Sequence, residues 1–293
     1  MIDKALHRST IFRHLDGLVT APVGYALHKK GILAFILDKK ETTLNELSKQ
    51  FKANEGYLNV ALRALCSQGF LSYQINNETE KIKFSLTEKS EMAFSLFHLY
   101  QDVVDLLQFS MQFHPRLFEE APFEKLSVIF EKYKKNYGIV FSEDPLVNEI
   151  QHQVLKHIEG SLVGPTLVRL GMSGMFHKYF MEISFRPEEF HKSPDNFKKI
   201  LDFLVYLNWF REKKGNYQFT ETGLFFAKRA SAYGVTVSYL PTFSKMDELL
   251  FGDPNVLKNV GEGEDEIHVD REMNVWGSGG AHDTYFKVVD EII

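Results

Sequence analysis

The residues of greatest chemical promise gather near the end of the chain. His268 and Asp270 stand two positions apart, and His282 and Asp283 follow as neighbours. Imidazoles and carboxylates in this pattern can ligate a hard metal ion or iron, or can serve as an acid–base pair. Their spacing matches no specific metal motif. Between the two pairs lies Gly277-Ser278-Gly279-Gly280. Glycines at the opening of a helix leave backbone N–H groups open to a phosphate or cofactor. A dinucleotide fingerprint also needs a buried apolar strand just before the glycines. Asp270-Arg271-Glu272-Met273-Asn274 is no such strand. The simpler expectation is a turn that opens a helix.

Other chemistries find no support. The sequence carries no Ser/His/Asp hydrolase signature, phosphate-binding Walker loop or zinc spacing. The one cysteine, Cys66, rules out an internal disulfide and sits in an apolar helical run, where a buried inert thiol is expected. A net charge of -5 argues against a chain that lives on nucleic acid, so nucleic acid is not an expected partner. No signal peptide opens the chain, and no apolar run approaches the roughly 20 residues that span a bilayer. The expected location is the cytoplasm, with no membrane partner.

The elements that must position these residues come in two copies. Leu15-Asp16-Gly17, Pro22, Leu27 and Gly31 align without gaps on Ile158-Glu159-Gly160, Pro165, Leu170 and Gly174. Leu58, Leu62, Leu65, Phe70 and Leu71 then match Phe197, Leu201, Leu204, Trp209 and Phe210, and Phe84 to Glu88 match Tyr217 to Glu221. In each copy a first helix runs through the proline and stops near the glycine. In the first, Thr43 with Glu46 is a capping-box pattern for a second helix, a third covers 57–68, and two strands at 70–75 and 81–86 form a wing. In the second copy Ile183 to Pro187 replaces the second helix.

The expected fold class is therefore mainly α (α+β), with two winged-helix-like repeats joined by a helical linker. The expected divisions are 1–89 and 158–235 for the repeats, 90–157 for the linker, and 236–293 for a helical tail with the glycine-rich motif. The third helix of the first copy offers a DNA reader only Arg63 and Asn59; the second sets Lys198 and Lys199 beside Asp195 and Asp202. That is thin for an interaction whose affinity comes largely from phosphate contacts. The alternative to an enzyme is a non-enzymatic winged-helix DNA-binding or protein-interaction regulator, for which Lys213-Lys214 on the wing is the best support.

The closing segment His268 to His282, with Tyr285-Phe286, resembles the approach to the catalytic core in loading-module methyltransferases of polyketide synthases, of the saxitoxin and apratoxin type. Ser238-Tyr239-Leu240-Pro241, Leu249 to Gly252, Val60 to Leu65 and Thr220 to Gly223 are also similar. The resemblance implies a substrate-gating and dimerisation region of an S-adenosylmethionine (SAM)-dependent enzyme. That enzyme would methylate the α-carbon of an acyl group, held on an acyl carrier protein or free as a small molecule. The implied cofactors are SAM and a metal ion such as iron; a homodimer is also implied. On this reading His282 faces the chemistry, Gly277, Ser278 and Gly279 approach the cofactor, and His268 and Asp270 are the metal ligands. The family's donor-binding strand and Gly-x-Gly turn are expected after Ile293.

Overall fold

The computed structural model describes residues 2–113, 122–258 and 266–290. The first copy opens with the long helix α1 (Lys4–Lys29), whose N-terminus Asp3 caps by accepting from the N–H groups of Ala5 and Leu6. Gly31, at φ +82°, turns the chain into α2 (Ile32–Lys39). Strand β1 (Glu41–Thr43), α3 (Leu44–Phe51), α4 (Glu55–Ser67), β2 (Leu71–Ile75) and β3 (Ile82–Leu86) complete a winged helix with strand order β1-β3-β2. The capping box forms by half. Thr43 Oγ1 accepts from the Glu46 N–H at 3.2 Å, while the Glu46 carboxylate takes the Thr42 hydroxyl at 2.8 Å.

The connecting region holds α5 (Ser90–Leu96), α6 (Gln101–Leu106) and α7 (Phe123–Lys134), with 3₁₀ turns on both sides of α6. His114-Pro115 lies outside the described residues, and α7 starts directly after Pro122. Helix α8 (Pro145–Met172) then runs unbroken into the second copy, with Asp144 as its N-cap. The second copy continues with α9 (Lys178–Glu182), α10 (Pro194–Tyr206), β4 (Phe210–Lys213), β5 (Asn216–Phe219), α11 (Glu221–Ala227) and α12 (Ser231–Ser238). Helices α13 (Leu240–Phe243), α14 (Met246–Phe251) and α15 (Arg271–Asp290) follow.

The degenerate middle of the second copy retains a trace of the plan. Where β1 pairs Thr42 with Phe84, the second copy keeps a single antiparallel bridge between Phe185 and Tyr217. The offsets, 143 and 133 residues, are those of the sequence alignment. Likewise Thr87 Oγ1 donates to the Gly69 carbonyl at 2.7 Å, and Thr220 Oγ1 to the Asn208 carbonyl at 2.6 Å. Gly69 and Asn208 both take positive φ at the mouth of the wing.

The two copies meet along α1 and α8, the most extensive helix contact among the described elements. At their crossing a Cβ on Gly17 would lie 2.3 Å from His157 Cα, and one on Gly160 would lie 2.4 Å from His14 Cα. Residues at matching positions thus contact one another's helix reciprocally, as across a local two-fold axis. Two glycines let the backbones touch, and the apolar faces of both helices close around them: Leu18, Ala21, Ile158 and Leu162 are all buried.

Candidate functional site

The α1–α8 seam carries buried polar groups that obey the same two-fold relation. Tyr233 donates to His14 Nδ1 at 2.8 Å, and Tyr100 to His157 Nδ1 at 2.8 Å. Glu159 breaks the symmetry. Its Oε1 accepts from His14 Nε2 at 3.0 Å; its Oε2 accepts from Lys156 at 2.6 Å and from the Tyr133 hydroxyl. Burial works against the Glu159 charge, but His14 and Lys156 outweigh it and hold the carboxyl at about 2. Burial keeps His14 neutral, and pulls His157 down to about 3, with the Arg13 charge adding to the effect. Neutral His14 with its proton on Nε2 satisfies both partners. His157 Nε2 is buried with no hydrogen-bond partner. Apart from Lys156, whose side chain is partly exposed, the network is buried, and it fixes the register of the two copies.

The closing segment docks on the second copy. The Asp270 N–H donates to the Ser238 carbonyl at 2.8 Å, Asn274 Nδ2 to Ser238 Oγ at 2.9 Å, and Thr242 Oγ1 to the His268 carbonyl at 2.6 Å. Gly277 meets Gly234 backbone to backbone: a Cβ on Gly277 would lie 2.7 Å from Gly234 Cα. The indole of Trp276 covers Gly171 near the end of α8. Two stretches remote in sequence, Ser238 to Pro241 and His268 to Ser278, are thus one packed unit.

This placement revises the local reading of the glycines. Gly277, Ser278 and Gly279 do not open a helix; they lie inside α15, which starts at Arg271. Gly277 is small because α12 touches it there. The Ser278 hydroxyl bonds back to the Asn274 carbonyl at 2.9 Å, and Gly279 is exposed on the open side. Their N–H groups therefore lie within the helix ladder rather than at a helix start. Asp270 is the N-cap of α15, its Oδ1 accepting from the Met273 N–H at 3.0 Å. His268 is half-buried beside it, and His282 is exposed further along α15. Among the described residues no three His, Cys, Asp or Glu side chains converge as metal ligands. The Asp270 carboxylate is engaged as a cap through Oδ1. Asp283 has no described side chain. Glu262, Glu264 and Asp265, in the acidic stretch Gly261 to Glu266, lie outside the described residues.

Above the docked segment lies a cleft of roughly 1220 Å³, counting its open mouth. Val104, Leu107 and Ser110 form one wall; Pro241, Ser244 and Lys245 form the other, and Glu266 and Ile267 close one end. Its floor continues into a narrow apolar cavity lined by Leu18, Ala21, Pro22, Val103, Pro165 and Leu240. The mouth thus mixes apolar wall with Lys245, Glu266 and Asp105, and the floor is apolar. Such a combination suits a ligand with an apolar arm and a polar head.

A residue that sequence reasoning missed is Arg169. It is fully buried on α8, and Nε, Nη1 and Nη2 have no hydrogen-bond partner among the described residues. Burial pulls its guanidinium down to about 9, while the charges of Asp270 and Glu272 act in its favour. Cys66 is half-buried rather than fully buried, and burial raises its thiol to about 11, which leaves it un-ionised at neutral pH. The start of α4, the helix a DNA reader would use, is also covered. Asn54 Nδ2 donates to the Leu249 carbonyl at 2.8 Å, the Asn54 N–H to the Leu250 carbonyl at 2.8 Å, and the Tyr57 hydroxyl to the Pro254 carbonyl at 3.4 Å. No described helix is long and apolar enough to cross a membrane.

No curated protein matches the chain. Three domain families do: the AprA N-terminal domain over residues 7–73, the AprA winged helix domain over 159–253, and the AprA MT2-like domain over 266–293. The first two cover the helices of the α1–α8 seam, and the third begins where the closing segment docks; together they support an AprA-type methyltransferase region.

Proposed function

We propose that this chain is the substrate-handling part of a SAM-dependent methyltransferase that methylates the α-carbon of an acyl group presented on an acyl carrier protein. One observation carries the reading. The stretch similar to the AprA MT2-like domain is anchored on the winged-helix scaffold through Gly234–Gly277 and the Ser238 contacts, so the two parts form one unit. The scaffold presents the cleft between Val104, Leu107 and Ser110 and Pro241, Ser244 and Lys245 beside that anchor. The acyl arm would lie along the apolar wall, with Lys245 near the polar end. SAM would supply the methyl group, and no step is assigned to a metal.

The cleft is tested by calorimetric binding of an acyl-pantetheine, the portable arm of a carrier protein. Ser244→Trp fills the mouth from the exposed side. The expected result is a loss of at least about tenfold in affinity, equivalent to about 1.4 kcal/mol. Equal binding by both proteins would move the acyl group elsewhere.

A further inference from the structure

Arg169 sits where the duplicated scaffold has no need of it. Leu170 aligns with Leu27, so the first copy has Ala26 at the matching place, and Ala26 is buried. The same helix position is therefore filled by a methyl group in one copy and by a guanidinium in the other. A buried guanidinium without partners is costly, and proteins retain one where a partner arrives. Its surroundings say what kind of partner. Arg169 lies three residues from the end of α8, close to the charges of Asp270 and Glu272, at the N-terminal end of the 20-residue helix α15. Neither carboxylate hydrogen-bonds to it: Asp270 is turned to cap α15. Two residues further along α8, the Trp276 indole lies against Gly171 in the seam between α8 and α15.

We propose that Arg169 is the receiving group of a carboxylate-binding site at the seam between the end of α8 and the first turn of α15. A guanidinium fork pairs with either a carboxylate or a phosphate. The nearby Asp270 and Glu272 decide between them, since they repel a phosphate dianion about twice as strongly as a single carboxylate charge. Because the guanidinium has no exposed surface, the ligand enters by displacing the first turn of α15. That motion would couple the site to the closing segment. Two sources share this chemistry: the acid end of a dicarboxylic acyl substrate, and the amino-acid end of the methyl donor. The site rests on the orphaned arginine, and the choice of these two ligands rests on the methyl-transfer reading.

The experiment uses thermal unfolding of the full chain in a carboxylate-free buffer, with malonate, SAM, 5′-methylthioadenosine (the donor's nucleoside without its amino-acid end) and inorganic phosphate as probes. The variant is Arg169→Met, which keeps the length of the side chain and removes the charge. The expected result has two parts. Without ligand, the variant is at least as stable as the wild type, since it loses an unpaired buried charge. With ligand, malonate raises the wild-type midpoint, or SAM does so while 5′-methylthioadenosine does not, and the affinity drops at least tenfold in the variant. Malonate would identify the acyl substrate as the source, and SAM the donor. The proposal is overturned if phosphate stabilises as well as the carboxylates, if no carboxylate stabilises the wild type, or if the variant responds equally. It is also overturned if the variant unfolds well below the wild type in ligand-free buffer, because Arg169 would then have a partner within the chain.

Discussion

Gly17→Ala is the sharpest perturbation of the scaffold. In an open helix interior this exchange stabilises by up to about 1 kcal/mol, because alanine is the better helix former. At Gly17 the new methyl group would sit 2.3 Å from His157 Cα and 2.4 Å from the His157 carbonyl oxygen. Carbon atoms pack at about 3.5–4.0 Å, and backbone atoms cannot rotate aside. Helices α1 and α8 must therefore separate by roughly 1 Å at their closest point. A gap of that size removes a quarter to a half of the dispersion attraction of the atoms lining it. It also stretches the His14–Glu159 and Tyr100–His157 hydrogen bonds, which span the two copies and contribute about 1 kcal/mol each. After the propensity gain, a net loss of about 3 kcal/mol follows, at the upper end of overpacking costs. Urea unfolding followed by circular dichroism measures it. Gly160→Ala, which meets His14 in the reciprocal way, should behave alike, and the double variant should lose less than the sum, because the first methyl group already opens the seam. Gly279→Ala, with nothing within 4 Å, should be neutral or stabilising. A Gly17→Ala protein within about 0.5 kcal/mol of wild type would refute the close crossing.

Three further outcomes follow. Stability should fall on acidification below pH 6.5. His14 and His157 are neutral in the fold with lowered pKa values, so the unfolded chain binds more protons from 6.5 down to the folded value, about 3 for His157. The cost is about 1.4 kcal/mol per pH unit for His157 over that window, and His14 adds to it in the same direction. Glu159, held at about 2 against an ordinary 4.5, adds its loss as pH drops from 4.5 towards 2. A thermal midpoint unchanged between pH 7 and pH 5 would contradict this. Tyr233→Phe and Tyr100→Phe should each lower stability by about 1–3 kcal/mol through the buried histidine nitrogens they leave unpaired; a neutral effect in chemical denaturation would remove those bonds. Asn54→Ala should loosen the segment at Leu249 to Gly252 and raise amide exchange there with little effect on α8, whereas unchanged exchange would deny Asn54 that anchoring role.

Much of this architecture could be read from the amino acids because duplicated chains carry their own internal reference. The gapless match of Leu15-Asp16-Gly17 with Ile158-Glu159-Gly160 located both halves of the crossing, and the weak second helix around Ile183 to Pro187 is weak in space too, reduced to α9, a 3₁₀ turn at Pro187–Glu189 and one bridge. What the residues did not disclose was how the copies face each other. Gly17 reads as an ordinary helix glycine until His157 is placed against it, a contact 140 residues away in sequence. The glycines at 277–279 misled for the same reason. They signal a turn when seen locally, but Gly277 answers to Gly234 on another helix. Arg169 was passed over because a single cation in the apolar run Thr166 to Leu170 reads as a surface residue; only its burial without partners distinguishes it. Comparison with Ala26 at the matching position would have marked it from sequence.

Handling of an acyl substrate for methyl transfer is the proposed role of this chain. The most direct measurement incubates the polypeptide, as its gene encodes it, with SAM labelled in the transferred methyl group and an acyl-loaded carrier protein, and follows the label by mass spectrometry of the released acyl group. The expected result is label on the acyl α-carbon, and less of it with Ser244→Trp. Label that stays on SAM with every acyl group offered, from a folded protein that binds SAM, would contradict it.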